Sequence, residues 1–318
     1  MKKNGKNQSW SLKLKCKKCL FCFVARKKRK QEYLPRTTNI FENYIREGYS
    51  SRQIADQEWL IEYRVRLYIQ SRLDHNTITC ISEIYSWVEH IMIDGYWLPK
   101  DKYGSRKILL VYYAYTIWKV IWFSIRDGER KEYIAEDLRF LRDHMGYMGI
   151  ISCTADWWIG IATALKEIYP ACLLQRCLVH IQRQVKTYIS GNPKSRAGKE
   201  FLKITEYDTL CDPLTFPQKW KDWNTHHQAY INEKSIKPNG WWRYAHGNLK
   251  KAIRHIENAL PYMFQSYRTG NPDIERSSNK LEWYFWVFAE EWIKEHKGLS
   301  HSRLYAFTSL WISLRNQK

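Results

Sequence analysis

Between residues 37 and 74 apolar positions recur at helical spacing: Phe41, Tyr44 and Ile45, then Ile54 and Ala55, then Leu60, Tyr63, Val65 and Leu67. Gly48 interrupts the first run, and Ser50 stands where its hydroxyl can accept from the free N–H groups of a second helix. Short helix, glycine turn, capped short helix and longer basic helix is the layout of a helix-turn-helix, and also of a plain three-helix bundle. From residue 87 the period becomes that of strands. "WVEHIMIDGYWL", "RKILLVYYAYTI" and "KVIWFSIRDG" are rich in β-branched and aromatic residues and predict three successive strands. "KEYIAEDLRFLRDHMG" predicts a helix ending at Gly146, "YMGIISCTA" a strand, "DWWIGIATALKEIYP" a helix stopped by Pro170, and "ACLLQRC" a strand leading into a further helix. Three strands followed by alternating helix and strand predict an α/β fold, a mixed sheet with helices on its faces. Residues 190–270 read as a helical, tryptophan-rich insertion with "GNPKSRAG", "KPNG" and "RTGNP" as loops, and a last long helix from about Ser278 to Lys297 closes the chain. The units are a basic head over 1–36, a helical unit over 37–75 and a sheet domain over 85–318.

Charge adds a partner to this outline. The formal net charge of +20 attracts polyanions, of which nucleic acid is the commonest. The head concentrates it, with Lys27, Lys28 and Arg29 among its basic residues and only Glu32 against them. That flank favours the helix-turn-helix over the plain bundle, with Arg52, Gln53, Arg64 and Arg66 as DNA contacts beside the head. No window approaches the roughly 18 consecutive apolar residues of a membrane span, and the basic N-terminus lacks the apolar stretch of a secretory signal. A cytoplasmic protein with no membrane partner is expected. The 8 cysteines then read as reduced thiols rather than a disulfide framework. In "KCKKCLFC", Cys16 and Cys19 make one CxxC knuckle of a possible zinc site, with Cys22 as a third ligand. A tetrahedral site wants four ligands, and nothing nearby supplies the fourth, so reduced cysteines on a basic arm are the preferred reading.

Three acids stand out for chemistry. Asp94 follows "HIMI" and precedes Gly95; Asp-Gly is a strong hairpin signal, but Tyr96, Trp97 and Leu98 before Pro99 make a short second strand. Asp156 ends the strand "GIISCTA", where it can cap the next helix or collect ligands as strand ends in α/β sheets do. Glu282 heads an apolar stripe of Trp286, Ala289 and Ile293, beside a second stripe of Leu281, Phe285, Phe288 and Trp292. A carboxylate there must be neutralised, paired or metal-bound. Glu290 and Glu291 share the helix but sit among more polar neighbours. Two Asp and a Glu from separate elements can hold two hard cations, Mg²⁺ or Mn²⁺, through oxygen. Such ions, roughly 3.5–4 Å apart, activate a water or 3′-hydroxyl in phosphodiester displacement. In "LLQRCLVHIQRQVKTYI", Cys177, His180 and Gln184 form a helix stripe beside the apolar Leu178, Ile181, Val185 and Tyr188. Half a zinc site, a thiol nucleophile with its base, and part of a nucleic-acid enzyme's scaffold all fit that spacing; a thiol hydrolase lacks an oxyanion donor.

From about residue 37 to 311 the chain resembles the Mutator-like insertion-sequence transposases of bacteria. The matching stretches, in family order, are "FENYIREGYSSRQIA", "IDGYWL", "WKVIWFSIRDGE", "QRCLVHIQRQVKTYISGNPKSRAGKE", "WWRYAHGNLKKAIRHIENALPYMF", "SSNKLE" and "EHKGLS". The resemblance implies a ribonuclease-H-like catalytic domain of the DDE class, with Asp94, Asp156 and Glu282 as metal-binding catalytic acids. It puts Cys177 and His180 near the active site, where His180 hydrogen-bonds a scissile phosphate or orients a carboxylate; a structurally satisfied histidine is the alternative. The head resembles the latter half of the family's zinc ribbon, its first knuckle absent. Implied partners are double-stranded DNA, as terminal repeats and target, and further copies of the chain on DNA. Around the second acid the family's Ser-Asp-Gly is replaced by Ala155, Asp156 and Trp157, and "WYFWVFAE" follows Glu282 where smaller residues are usual. The alternatives are therefore an impaired relic that only binds DNA, and a nuclease on the same fold.

Overall fold

The computed structural model describes residues 2–6, 12–15, 22–24, 37–75, 87–100, 104–156, 159–236, 238–288, 293 and 299–317. In the head, β1 (Lys2–Lys6), β2 (Leu12–Lys15) and β3 (Cys22–Val24) form an antiparallel sheet in that order. Cys16, Cys19, Lys27, Lys28 and Arg29 lie outside the described residues, as do Glu290 and Glu291.

Helices α1 (Thr37–Arg46), α2 (Ser51–Gln57) and α3 (Glu62–His75) follow. Gly48 turns the chain between the first two at φ +70°, a left-handed value that suits glycine. Ser50 then starts α2 with a reciprocal cap: its hydroxyl accepts from the Gln53 N–H, and Gln53 Oε1 accepts from the Ser50 N–H at 2.7 Å. The Gln53 carboxamide is thus partly committed to the cap, whereas Arg52, Arg64 and Arg66 are exposed. On α3 the buried stripe differs from the expected one. Val65, Ile69 and Leu73 face inward at i, i+4 and i+8, leaving Tyr63 and Leu67 on the exposed side.

The centre of the molecule is a five-stranded sheet of β4 (His90–Trp97), β5 (Ile108–Ala114), β6 (Lys119–Arg126), β7 (Ser152–Ala155) and β8 (Leu173–Arg176). Its spatial order is β6-β5-β4-β7-β8; the first three strands are antiparallel, and β7 and β8 run parallel to β4. Parallel neighbours need crossovers, supplied by α4 (Lys131–Asp143) before β7 and α5 (Ile159–Ile168) before β8. The mixed α/β fold expected from the sequence is the one observed. Alternate residues of β4 face opposite ways: Ile91 and Ile93 join the core under α4 and α5, and Met92 faces the other side.

After β8, α6 (Leu178–Ile189) leads into the insertion: α7 (Arg196–Ile204), α8 (Tyr207–Leu210), α9 (Thr215–His226), α10 (Gln228–Asn232), β9 (Lys234–Ile236), β10 (Trp242–Tyr244), α11 (Gly247–Ala259) and α12 (Gln265–Thr269). Phe201, Phe216, Trp220 and Trp223 pack there against Leu178, Ile181 and Val185 of α6. The insertion is not wholly helical. β9 and β10 pair antiparallel across a turn in which Gly240 takes φ +80°, and Trp241 and Trp242 are exposed.

The expected final helix also requires correction. α13 (Asn279–Val287) starts where anticipated, but the chain closes with a separate helix, α14 (His301–Asn316). Ser300 begins α14 by accepting from the Arg303 N–H, a capping signal just beyond the expected end of the chain's last helix at Lys297. Trp311 and Phe307 of α14 are buried in one core with α13, the Met92 face of the sheet, and Tyr44, Ile54 and Ile69 of the N-terminal helices. Arg303 fixes this arrangement at the rim by two hydrogen bonds to Asp74, each 2.7 Å long.

Candidate active site at the ends of the parallel strands

Register brings the first candidates together. Ile93, Ala155 and Arg176 are partners across β4, β7 and β8, and the next residues along are Asp94, Asp156 and Cys177. The Cys177 N–H donates to the Ala155 carbonyl at 2.9 Å, continuing the ladder one step. These three residues therefore lie side by side where the parallel strands end, the usual location for ligands in α/β sheets. Asp94 is not in a hairpin turn: β4 continues through Gly95 to Trp97, paired with β5.

Asp94 shares the Met92 face of β4, against which α13 packs, and this is how Glu282 reaches it. The carboxylates of Asp94 and Glu282 and the imidazole of His180 offer ligand atoms all within 4.8 Å of one another. Asp156 is not part of that tightest group, although its charge acts on Asp94, on His180 and on the buried Arg176 behind it. Glu282 is only 22% exposed, and its Oε1 is buried without a hydrogen bond; His180 Nε2 lies 3.6 Å away. Its Oε2 meets Arg183 Nη1 at 2.6 Å. The stripes expected around Glu282 are only partly buried: Leu281, Phe285, Phe288 and Ile293 are inside, but Trp286 and the neighbouring Trp283 are exposed.

Cys177 and His180 are joined through Ser278, a fully buried residue at the head of α13. The Ser278 N–H donates to Cys177 Sγ at 3.2 Å, and its hydroxyl lies 3.4 Å from both Cys177 Sγ and His180 Nδ1. One hydroxyl proton serves one acceptor at a time, so this serine ties the helix to the site in alternative ways. Burial drives the Cys177 thiol upward, but hydrogen bonding and charge from His180, with help from Ser278, leave it below its ordinary value. For His180 burial acts to lower the pKa, and is outweighed by Cys177, Asp156 and Asp94, which lift it to about 9.

Asp94 and Glu129 are shifted toward their neutral forms. Burial raises Asp94 to about 6, against the pull of His180, the Gly95 N–H and Ser278, while Asp156 pushes the same way as burial. Glu129, which sequence reasoning does not single out, is raised to about 7 by burial and then by Asp94 and Asp156. It approaches because position 95 has no side chain: a Cβ there would lie 2.7 Å from Glu129 Oε1 and 2.5 Å from Ile108 Cδ1. The strand-end rule that selects Asp156 also fits Glu129, three residues past β6. Arg183 escapes sequence reasoning too, though it follows His180 by one helical turn.

Residues 114–215 match the family model of the Mutator family of transposases. The match covers about a third of the chain and supports a Mutator-type transposase; it includes Glu129, Asp156, Cys177, His180 and Arg183, with Asp94 and Glu282 on either side of it. No curated protein matches the chain. Among the described residues no helix is long and apolar enough to cross a membrane.

Proposed function

We propose that this chain is a Mutator-type transposase that binds the terminal repeats of its element and catalyses metal-dependent strand cleavage and strand transfer. The observation that carries the reading is the convergence of Asp94 and Glu282, from elements far apart in the sequence, on one point beside Asp156. The chain order 3-2-1-4-5 of the sheet, with its second strand antiparallel, supports a ribonuclease-H-like domain. α1–α3, with Arg52, Arg64 and Arg66 exposed, support a helix-turn-helix that grips the repeats through phosphates, with the basic head beside it. Exposed Trp241, Trp242 and Trp283 offer ring faces to distorted DNA ends.

The donor set fits a hard divalent cation. Asp94 and Glu282 supply carboxylate oxygens, one of them buried without a hydrogen bond, with Asp156 and Glu129 close by. The predominance of carboxylate oxygens among these donors favours Mg²⁺ or Mn²⁺ over zinc. When bound, the metal supplies Lewis-acid activation of the attacking oxygen and stabilisation of the leaving one. The protein's own groups hold the acids in register, exclude water with α13, and offer the His180 proton to a phosphate oxygen. In cleavage a water oxygen bonds to phosphorus as the P–O3′ bond breaks, and the leaving oxygen takes up a proton as a 3′-hydroxyl. In transfer that hydroxyl attacks a target phosphodiester; one P–O bond forms as one breaks, so no external energy source is required.

The test is strand transfer from a supercoiled donor with Mg²⁺, comparing wild type with Asp94→Asn. Joined product from wild type alone supports the transposase. DNA binding without cleavage in either points to a relic that only binds, and cleavage without joining points to a nuclease.

A further inference from the structure

Both oxygens of Glu282 face basic side chains of a single helix. Arg183 and His180 sit one turn apart on α6, with Arg183 Nη1 2.6 Å from Oε2 and His180 Nε2 3.6 Å from Oε1. A divalent cation shared by Asp94 and Glu282 needs the same oxygens, so it competes with these partners. A guanidinium does not deprotonate in proteins and has to move away bodily. Arg183 has room to do so, because its side chain is 56% exposed at the end of a long stem. A phosphodiester approaching Asp94 and Glu282 would bring anionic oxygens within reach of the same guanidinium.

We propose that Arg183 is a displaceable counter-cation of Glu282, which competes with the divalent metal for the carboxylate and, once displaced, holds the phosphodiester entering the site. This rests on Asp94 and Glu282 forming the metal site. Competition is reciprocal: whatever binding the metal loses to Arg183, the arginine loses to the metal. A guanidinium leaving the acid for a phosphate then makes metal loading a precondition of firm DNA contact at the site.

The test uses the full chain and Mn²⁺ alone, titrated by calorimetry. Arg183→Ala is expected to bind Mn²⁺ roughly three- to fivefold more tightly than wild type, the upper range of a partly exposed ion pair removed from one side of a competition. Lys186→Ala, which removes the same charge from an exposed position one turn further along α6, is expected to change the affinity less than about twofold. In duplex DNA binding with Ca²⁺, R183A is expected to flatten the slope of log K against log salt by about 0.9, the signature of one phosphate contact, and to leave it unchanged in EDTA. Unchanged or weaker Mn²⁺ binding in R183A, with wild-type binding still abolished by Asp94→Asn, overturns the proposal alone. Wild-type Mn²⁺ binding that is absent or indifferent to D94N overturns the metal site and the proposal together.

Discussion

At the scale of single residues, the site gathers carboxylates in a setting that resists their charge. Asp94 rises from an ordinary 3.8 to about 6 and Glu129 from 4.5 to about 7, each mainly through burial. With folded values above unfolded ones, both contribute stability that is fully present below pH about 4 and is lost as the pH climbs past about 7. A divalent cation reverses the preference, since it binds the ionised forms. Melting temperatures measured without metal are therefore expected to fall across that window, and the gain on adding Mn²⁺ to grow across it. Glu129→Gln is expected to shallow both trends and to weaken Mn²⁺ binding several-fold; an unchanged pH profile would exclude Glu129 from the site. Asp94, Asp156, Cys177, His180 and Glu282 are legible in the sequence because each sits beside a strand end or on an apolar helix face. Glu129 and Arg183 are not, for a physical reason. Their importance comes from what they touch, and neither the bare Gly95 nor the reach of a guanidinium to Glu282 is written in local spacing.

At the scale of elements, periodicity identifies most helices and strands but misjudges the buried face of α3 and misses the β9–β10 hairpin and α14. On α3, Tyr63, Val65 and Leu67 are all apolar enough to belong inside, and packing against α1, α2 and α14 selects the Val65, Ile69, Leu73 stripe. Ile69→Ala is thus expected to cost about 2–5 kcal/mol, and Leu67→Ala less than about 0.5, in denaturant unfolding. Equal effects would mean the stripe is misassigned. Ser50→Ala removes one half of the reciprocal cap on α2 and is expected to cost about 1 kcal/mol by the same measurement. The strands of the β9–β10 hairpin flank the "KPNG" loop in a stretch the sequence reads as helical, because they are three residues each, too short for an alternating pattern to register. α14 lies wholly beyond the expected last helix, which ends at about Lys297, so it is not anticipated as an element.

At the scale of the whole molecule, the first and last helices share one core with a face of the sheet. Trp311 is 2% exposed and lies edge-on to Tyr284 of α13, with 4.8 Å between ring centroids. Trp311→Ala is expected to destabilise by about 3–5 kcal/mol. Hydrogen exchange should then rise in α1 and α3 as well as in α14; faster exchange confined to α14 would mean that the N-terminal helices stand independently. Such a shared core could not be foreseen from segments at opposite ends of the chain, since nothing local in either announces the other. Its consequence is mechanical. If α1–α3 clasp the element's end, they do so as a rigid jig bolted to the cutting head, so the interval between recognised bases and severed bond is a dimension of the protein. An extra base pair inserted in that interval would shift the nick along the DNA sequence while leaving its offset from the clasp unchanged.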